Sequence, residues 1–534
     1  MLNSPRTVAQ ELARALAQLG VRYAFGMPGG VLLPLLDAFR EEGIDFVLVR
    51  HEGSAGFMAD VCSQLTGVPG VCVATLGPGV TNLVSPVAGA HLERSRVLAI
   101  TGQIRSDLIG TYTHQILDQV ALFEPITRHA TLLTEGGFSD QLHEVFRVLQ
   151  GAQPGPVHLD IPAELWSQSM PPIDCSFEPS SQDSNAAEIG VVRTHFERST
   201  RPVILVGLAD MAPEAAEAIT RLAEVLSAPV MTTYRAKGMI DERHPWSAGA
   251  FGLSPVVDEY QQGLLAKSDL LIVIGLDPVE LRPQWLPGWP SDLPMISVNS
   301  STDIPHPVAA EFIGPTSTIV ESFVEFGVNN SSSWVVEDVI QHVSQWTDLF
   351  DDGPDGPAET IRAIQRGMGP QALCSMDVGA HRITASHVWM CAEPLQQVQS
   401  NGFSSMGTGL PGAIAAKLCF PDRPVVALTG DMGLWMVLGE LGVVQERGMD
   451  LVVVYLADES LSLIELKQER SDLVNHGVRF ENPDVIALGS AFGGVGHRVR
   501  GVQEVETVVR DARDSGGLHI IEAVIDATPY RRQM

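Results

Sequence analysis

Two carboxylates in the last third of the chain stand where a hard cation could be held. Asp431 closes the apolar run PVVALTGD, and Asp458 closes the next one, LVVVYLAD, with the helix-like stretch VLGELGVVQERG between them. Acids at adjacent strand ends, beside a helix N-terminus, suit a divalent cation shared with a diphosphate. The metal takes oxygen ligands, and helix N–H groups receive the anion. Taken alone, the same two acids also fit ordinary helix caps. Glu52 ends a third such run, FVLVRHE, and by itself reads as a cap, a surface acid, or a buried group placed to hold a proton. Glycine-rich turns follow other apolar runs: FGMPGG, ATLGPG and ITGQ.

These residues must be positioned by the elements around them. Apolar residues at helical spacing from Thr7 to Leu19 stop at Gly20, and VRYAFG, FVLVRHE, GVCVAT and RVLAITG then read as strands separated by helical segments. Strands alternating with helices predict an α/β fold, in which each parallel sheet is flanked by helices and ligands gather beyond the carboxyl ends of the strands. The turns at 26–30, Glu52, 77–79 and Gln103 should therefore cluster. The pattern recurs twice, predicting three domains, at 1–172, 188–330 and 355–534. Two stretches without periodicity, 171–190 and 329–357, read as linkers.

The 534 residues suffice for several cores, and 45% apolar with 18% charged residues is a globular composition. A formal net charge of −30 argues against nucleic acid or an anionic membrane as partner. The six cysteines form no CxxC pair and read as reduced, packed thiols. No run is long enough to span a membrane and the first residues contain no apolar leader segment, so a cytoplasmic protein is expected.

Taken together, the motifs resemble the thiamine-diphosphate-dependent enzymes, in particular their acetohydroxyacid (acetolactate) synthase-like branch. Gly430-Asp431-Met432-Gly433 and Asp458-Glu459 stand where that family has its cofactor motif, with Met432 in place of a glycine and Asp458 in place of an amide. The resemblance implies Mg²⁺ on Asp431, Asp458 and the Ser460 carbonyl. It makes Glu52 the group that holds the aminopyrimidine ring in its imino form, and places Gly30 beside the reacting carbon. Gly79, Asn82 and Gln103 would line the pocket. Gln115 would meet cofactor or substrate, and His114 is either an acid/base group or a hydrogen-bonded spacer. Ser404 and Met406 would grip the pyrimidine, Met406 as the apolar wedge. Val378 and Gly379 would lie near the diphosphate, and Leu463 and Ile464 would be apolar walls. Lys467 either pairs with an anionic acceptor or points to solvent.

The implied chemistry is decarboxylation of a 2-oxo acid, pyruvate first, followed by carboligation to a second carbonyl. Simple decarboxylation and a catalytically silent homologue are the rivals. The pyrimidine-binding domain comes first, the diphosphate-binding domain last and a central domain between them. The active site would lie between subunits of a homodimer or homotetramer. GLDPVELRPQ in the central region, Ala163 after the Pro of PGPVHLDIPAE, and the absence of a dinucleotide fingerprint in VILVGLADMAPEA argue against FAD.

Overall fold

Continuous apolar runs become fully covered parallel strands when helices lie on both sides of a sheet, and this accounts for most of the architecture. The computed structural model describes residues 6–173, 186–208, 211–283, 285, 292–299, 308–327 and 331–534. The first sheet contains β1 (Tyr23–Gly26), β2 (Asp45–Leu48), β3 (Gly70–Ala74), β4 (Val97–Gln103), β5 (His129–Leu132) and β6 (Val157–Pro162). The second contains β7 (Pro202–Val206), β8 (Val230–Thr233), β9 (Ser247–Phe251), β10 (Leu270–Ile274), β11 (Met295–Asn299) and β12 (Ala310–Ile313). The third contains β13 (Leu373–Met376), β14 (Gln397–Gln399), β15 (Val425–Gly430), β16 (Leu451–Ala457), β17 (Val495–Arg500) and β18 (Leu518–Val524).

All three sheets have six strands and are parallel throughout, as the α/β alternation requires. Their strand orders divide them into two kinds. The first runs β2-β1-β3-β4-β6-β5 and the third β14-β13-β15-β16-β18-β17, the same order in both. The middle sheet runs β9-β8-β7-β10-β11-β12, the doubly wound order with its switch point between β7 and β10. The first and third domains are thus topological copies of each other, a relation invisible at the level of residue identity.

The outer domains share one core. The Glu52–Thr66 helix packs against the Gly409–Cys419 helix, and Ala55, Ala59, Ala413 and Ala416 join a single apolar cluster with residues of both sheets. Small residues allow this approach: a Cβ on Gly412 would lie 2.4 Å from the Ser375 hydroxyl and 3.2 Å from Val61.

The stretch 329–357, expected to be a linker, contains the Val336–Thr347 helix. Val339, Val343 and Trp346 recur at helical spacing along it, and Trp346 is buried beside Phe350 and His387. It seals the seam between the middle and last domains. The other predicted linker, 171–190, lies largely outside the described residues, and its end already belongs to the Ala186–Arg198 helix. Among the described residues, no helix is long and apolar enough to cross a membrane.

Candidate active site

The acids at the end of the third sheet come together because their strands are adjacent. Gly430 on β15 is in register with Leu456 on β16, so Asp431 and Asp458 leave neighbouring strand ends. Asp431 opens the Asp431–Met436 helix. Its Oδ1 accepts the Met432 N–H at 2.9 Å, and its Oδ2 accepts the Glu459 N–H at 2.9 Å and the Asn482 amide at 3.3 Å. Asp458 accepts the Ser460 N–H at 3.2 Å and the Ser462 hydroxyl.

Every one of these donors is neutral, so two largely buried carboxylates carry no bonded cation. Burial pushes the Asp458 carboxyl up to about 6, with the nearby Asp431 charge adding to it, and burial raises Asp431 as well. A divalent ion between them would relieve both costs. Among the described residues no three His, Cys, Asp or Glu side chains cluster for a metal. Two carboxylates, with main-chain oxygen as on buried Ser460 and water, could hold a hard cation, since such ions take oxygen ligands. A cavity of about 440 Å³ opens beside Asp458 and Ser462, and Arg479, Arg500 and Arg531 are among its lining residues.

Asp377 organises the neighbouring turn. Its carboxylate accepts the Val378 N–H at 2.7 Å and the Gly407 N–H at 2.9 Å, which ties the start of one loop to the end of another. Burial raises this carboxyl to about 6. Gly433 packs against Asp377, since a Cβ there would stand 2.3 Å from Asp377 Oδ2. Gly379 and Gly430 both face the buried His381 ring, at 2.7 Å and 3.3 Å from where their Cβ atoms would be. Ser404 adopts a left-handed backbone (φ 54°), its hydroxyl donates to the Asn401 carbonyl at 2.7 Å, and half-buried Met406 follows it. Leu463 is half-buried, Ile464 is 44% exposed, and Lys467 points to solvent.

In the first domain, Glu52 is the first residue of its helix. The chain enters through His51, whose Nδ1 accepts the Gly53 N–H at 3.0 Å. The Glu52 side chain is only 7% exposed, and its Oε2 accepts the Asn82 amide at 2.9 Å. A Cβ on Gly79 would sit 3.0 Å from the other oxygen, Oε1. Glu52, Gly79 and Asn82 thus form one contact set.

The remaining residues of this domain fall elsewhere. Nothing lies within 4 Å of where a Gly30 Cβ would be; the crowded neighbour is Gly29, whose Cβ would meet the Thr75 hydroxyl at 2.2 Å. Gln115 takes a positive φ of 60° and packs on the Gly77 turn, while His114 is exposed and edge-on to Tyr112. Gln103 is turned inward: its amide donates to Asp160 at 3.1 Å, and buried Gln119 donates to the same carboxylate at 2.6 Å. Burial raises Asp160 to about 6.

Sequence reasoning missed Asp377, His381, Gln119, Asp160 and Asn482. Asp377 had a usable signal, since it follows β13 just as Asp431 follows β15. Asn482 had none, because only the return of the chain from residue 479 brings it to Asp431.

Family comparisons agree with this geometry. The model of the thiamine pyrophosphate enzyme N-terminal TPP binding domain matches residues 6–122, the central-domain model 191–312, and the C-terminal TPP binding domain model 377–523. The chain belongs to the thiamine pyrophosphate enzyme family. Glu52, Gly79 and Asn82 fall within the first match, and Asp431 and Asp458 within the last. The acetolactate synthase of Mycobacterium leprae is 30% identical, over 95% of this chain and 85% of that protein. The acetolactate synthase large subunit of Corynebacterium glutamicum is 29% identical over 95% and 85%, and the acetolactate synthase of Bacillus subtilis 26% over 97% and 93%. The protein is accordingly a thiamine-diphosphate-dependent enzyme with three α/β domains.

Proposed function

We propose that this enzyme decarboxylates a 2-oxo acid, pyruvate first among them, and joins the remaining two-carbon unit to a second carbonyl compound. The observation that carries the reading is Glu52, a buried carboxylate fixed by Asn82 and kept accessible on its other oxygen because residue 79 has no side chain. Acetolactate synthases aligned over nearly the whole chain support a thiamine-diphosphate reaction of this general kind. Bound thiamine diphosphate supplies an acidic thiazolium carbon and an electron sink for the pair left behind by CO₂. Glu52 would hold a proton against the aminopyrimidine ring of that cofactor. Asp431, Asp458 and the Ser460 carbonyl would hold Mg²⁺, and Ser404 and Met406 would orient the pyrimidine. Gly30 would leave room for the substrate, Gln115 by the Gly77 turn and exposed His114 would meet it from their loop, and Leu463 and Ile464 would border it.

The site closes between two copies of the chain. Within one copy, the Arg50 and His51 N–H groups meet the Glu440 side chain, and Leu33, Phe403, Met436 and Ile464 are left 44–60% exposed. These apolar side chains next to the cofactor residues are the surface that a second copy would cover.

We infer that the middle domain takes no dinucleotide. Where a doubly wound sheet admits one, beyond β7 and β10, the Glu280 carboxylate accepts the Leu208 N–H at 3.0 Å and the Asp277 N–H at 3.2 Å. Buried Glu280 is raised to about 8 and sets its oxygens between the ends of these two strands.

The test is to supply pyruvate alone to the enzyme loaded with Mg²⁺ and thiamine diphosphate. Acetolactate with CO₂ supports ligation. Acetaldehyde and CO₂ without a condensed product would establish the simple decarboxylase instead.

A further inference from the structure

The helix that begins at Glu52 and the helix that follows the Ser404–Thr408 loop lie against each other, and their far ends place two thiols in contact. Cys62 is ten residues beyond Glu52, about 15 Å along its helix, and Cys419 is the last residue of the Gly409–Cys419 helix. Their sulfur atoms are 3.4 Å apart, across the boundary between the first and last domains. The other described cysteines, Cys72, Cys374 and Cys391, are fully buried, whereas Cys62 and Cys419 are both partly open to solvent.

Hydrogen bonds hold the two ends in place. The Tyr23 hydroxyl donates to the Leu418 carbonyl at 3.1 Å, and the Thr66 hydroxyl donates to the Cys62 carbonyl at 2.7 Å. The Cys419 S–H points at the Cys62 sulfur and favours its thiolate, which lowers Cys62, while burial pushes Cys72 up to about 12. One thiol pair thus combines contact, access and a nucleophilic member.

We propose that Cys62 and Cys419 are a redox-active pair that closes into a disulfide between the two cofactor-binding domains, with a low-molecular-weight disulfide as oxidant. The Cys62 thiolate attacks one sulfur of the oxidant and expels its first thiolate. Cys419 gives up its proton and attacks the Cys62 sulfur of the mixed disulfide, expelling the second. Two cysteine thiols are oxidised, and the oxidant is reduced to two thiols. Bond formation needs the sulfur atoms to approach by about 1.4 Å, to the covalent distance of about 2.05 Å. The closed pair joins residues 357 positions apart and clamps the helix bearing Glu52 to the one leading from the pyrimidine loop.

The test uses the full-length holoenzyme with oxidised glutathione. Thiol titration under denaturing conditions should fall from six to four, peptide mapping should show Cys62 joined to Cys419, and Tm should rise by several degrees. Dithiothreitol should reverse all three. C62S and C419S, each folded and with the activity of the parent, should show no rise in Tm under the same oxidant. Retention of all six thiols overturns the proposal. So does arrest at a glutathione adduct, a linkage between other cysteines, or a two-thiol loss that persists in C62S.

Discussion

Replacing Asp458 with Asn tests the cation site through stability as well as activity. In the metal-free protein, burial and the neighbouring Asp431 lift the Asp458 carboxyl from 3.8 to about 6. A shift of about 2 pKa units corresponds to about 3 kcal/mol at about 1.4 kcal/mol per unit. The sign follows from proton uptake. The folded state holds its proton to higher pH than the unfolded chain, so this stability is fully present below about pH 4 and is lost as pH rises through about 6. Without metal, the wild type should therefore lose about 3 kcal/mol more than D458N between about pH 3 and pH 8. Mg²⁺ should abolish most of that loss in the wild type by supplying the missing charge. Denaturant unfolding across this pH range, in EDTA and in excess MgCl₂, reads the difference directly. Raised carboxyls whose surroundings do not include Asp458, among them Asp160, Asp377, Glu93 and Glu280, are common to both proteins and cancel. A D458N protein that follows the wild-type pH profile in EDTA, or a wild type indifferent to Mg²⁺, would refute the reasoning.

Other substitutions address the remaining parts of the site and fold. Glu52→Gln should reduce turnover by at least about a hundredfold, the scale of a lost acid/base group, while thiamine diphosphate with Mg²⁺ still raises Tm; normal turnover would remove Glu52 from its role. Gly79→Ala puts a methyl carbon 3.0 Å from Glu52 Oε1. It should lower kcat/KM by about tenfold or more, since displacement of a catalytic group by a fraction of an ångström is costly, with Tm nearly unchanged. Trp346→Ala empties the seam between the middle and last domains and should cost about 3–5 kcal/mol, measured by chemical denaturation; a loss under 1 kcal/mol would mean the helix is peripheral.

Much of this enzyme was legible before its fold was known because its chemistry resides at strand ends. An acid directly after an apolar run is placed by the run itself, so reading where strands stop put Asp431 and Asp458 at neighbouring strand ends, while the resemblance supplied the expected roles of Glu52 and Gly79. The same logic made the α/β class plain. It failed where periodicity was short and interrupted, as in the Val336–Thr347 helix, whose turn-rich flanks concealed a buried Trp346.

Residue order alone determined the alternating α/β architecture, the acids at the strand ends and the cofactor family, because each depends on neighbours close in sequence. Only the tertiary structure decided that the outer sheets share one strand order, that Asn482 returns to Asp431, that Asp377 ties residue 378 to residue 407, and that Cys62 touches Cys419. Those pairings join residues tens to hundreds of positions apart. Their energies come from packing and from the desolvation of charge, which no local run of residues encodes.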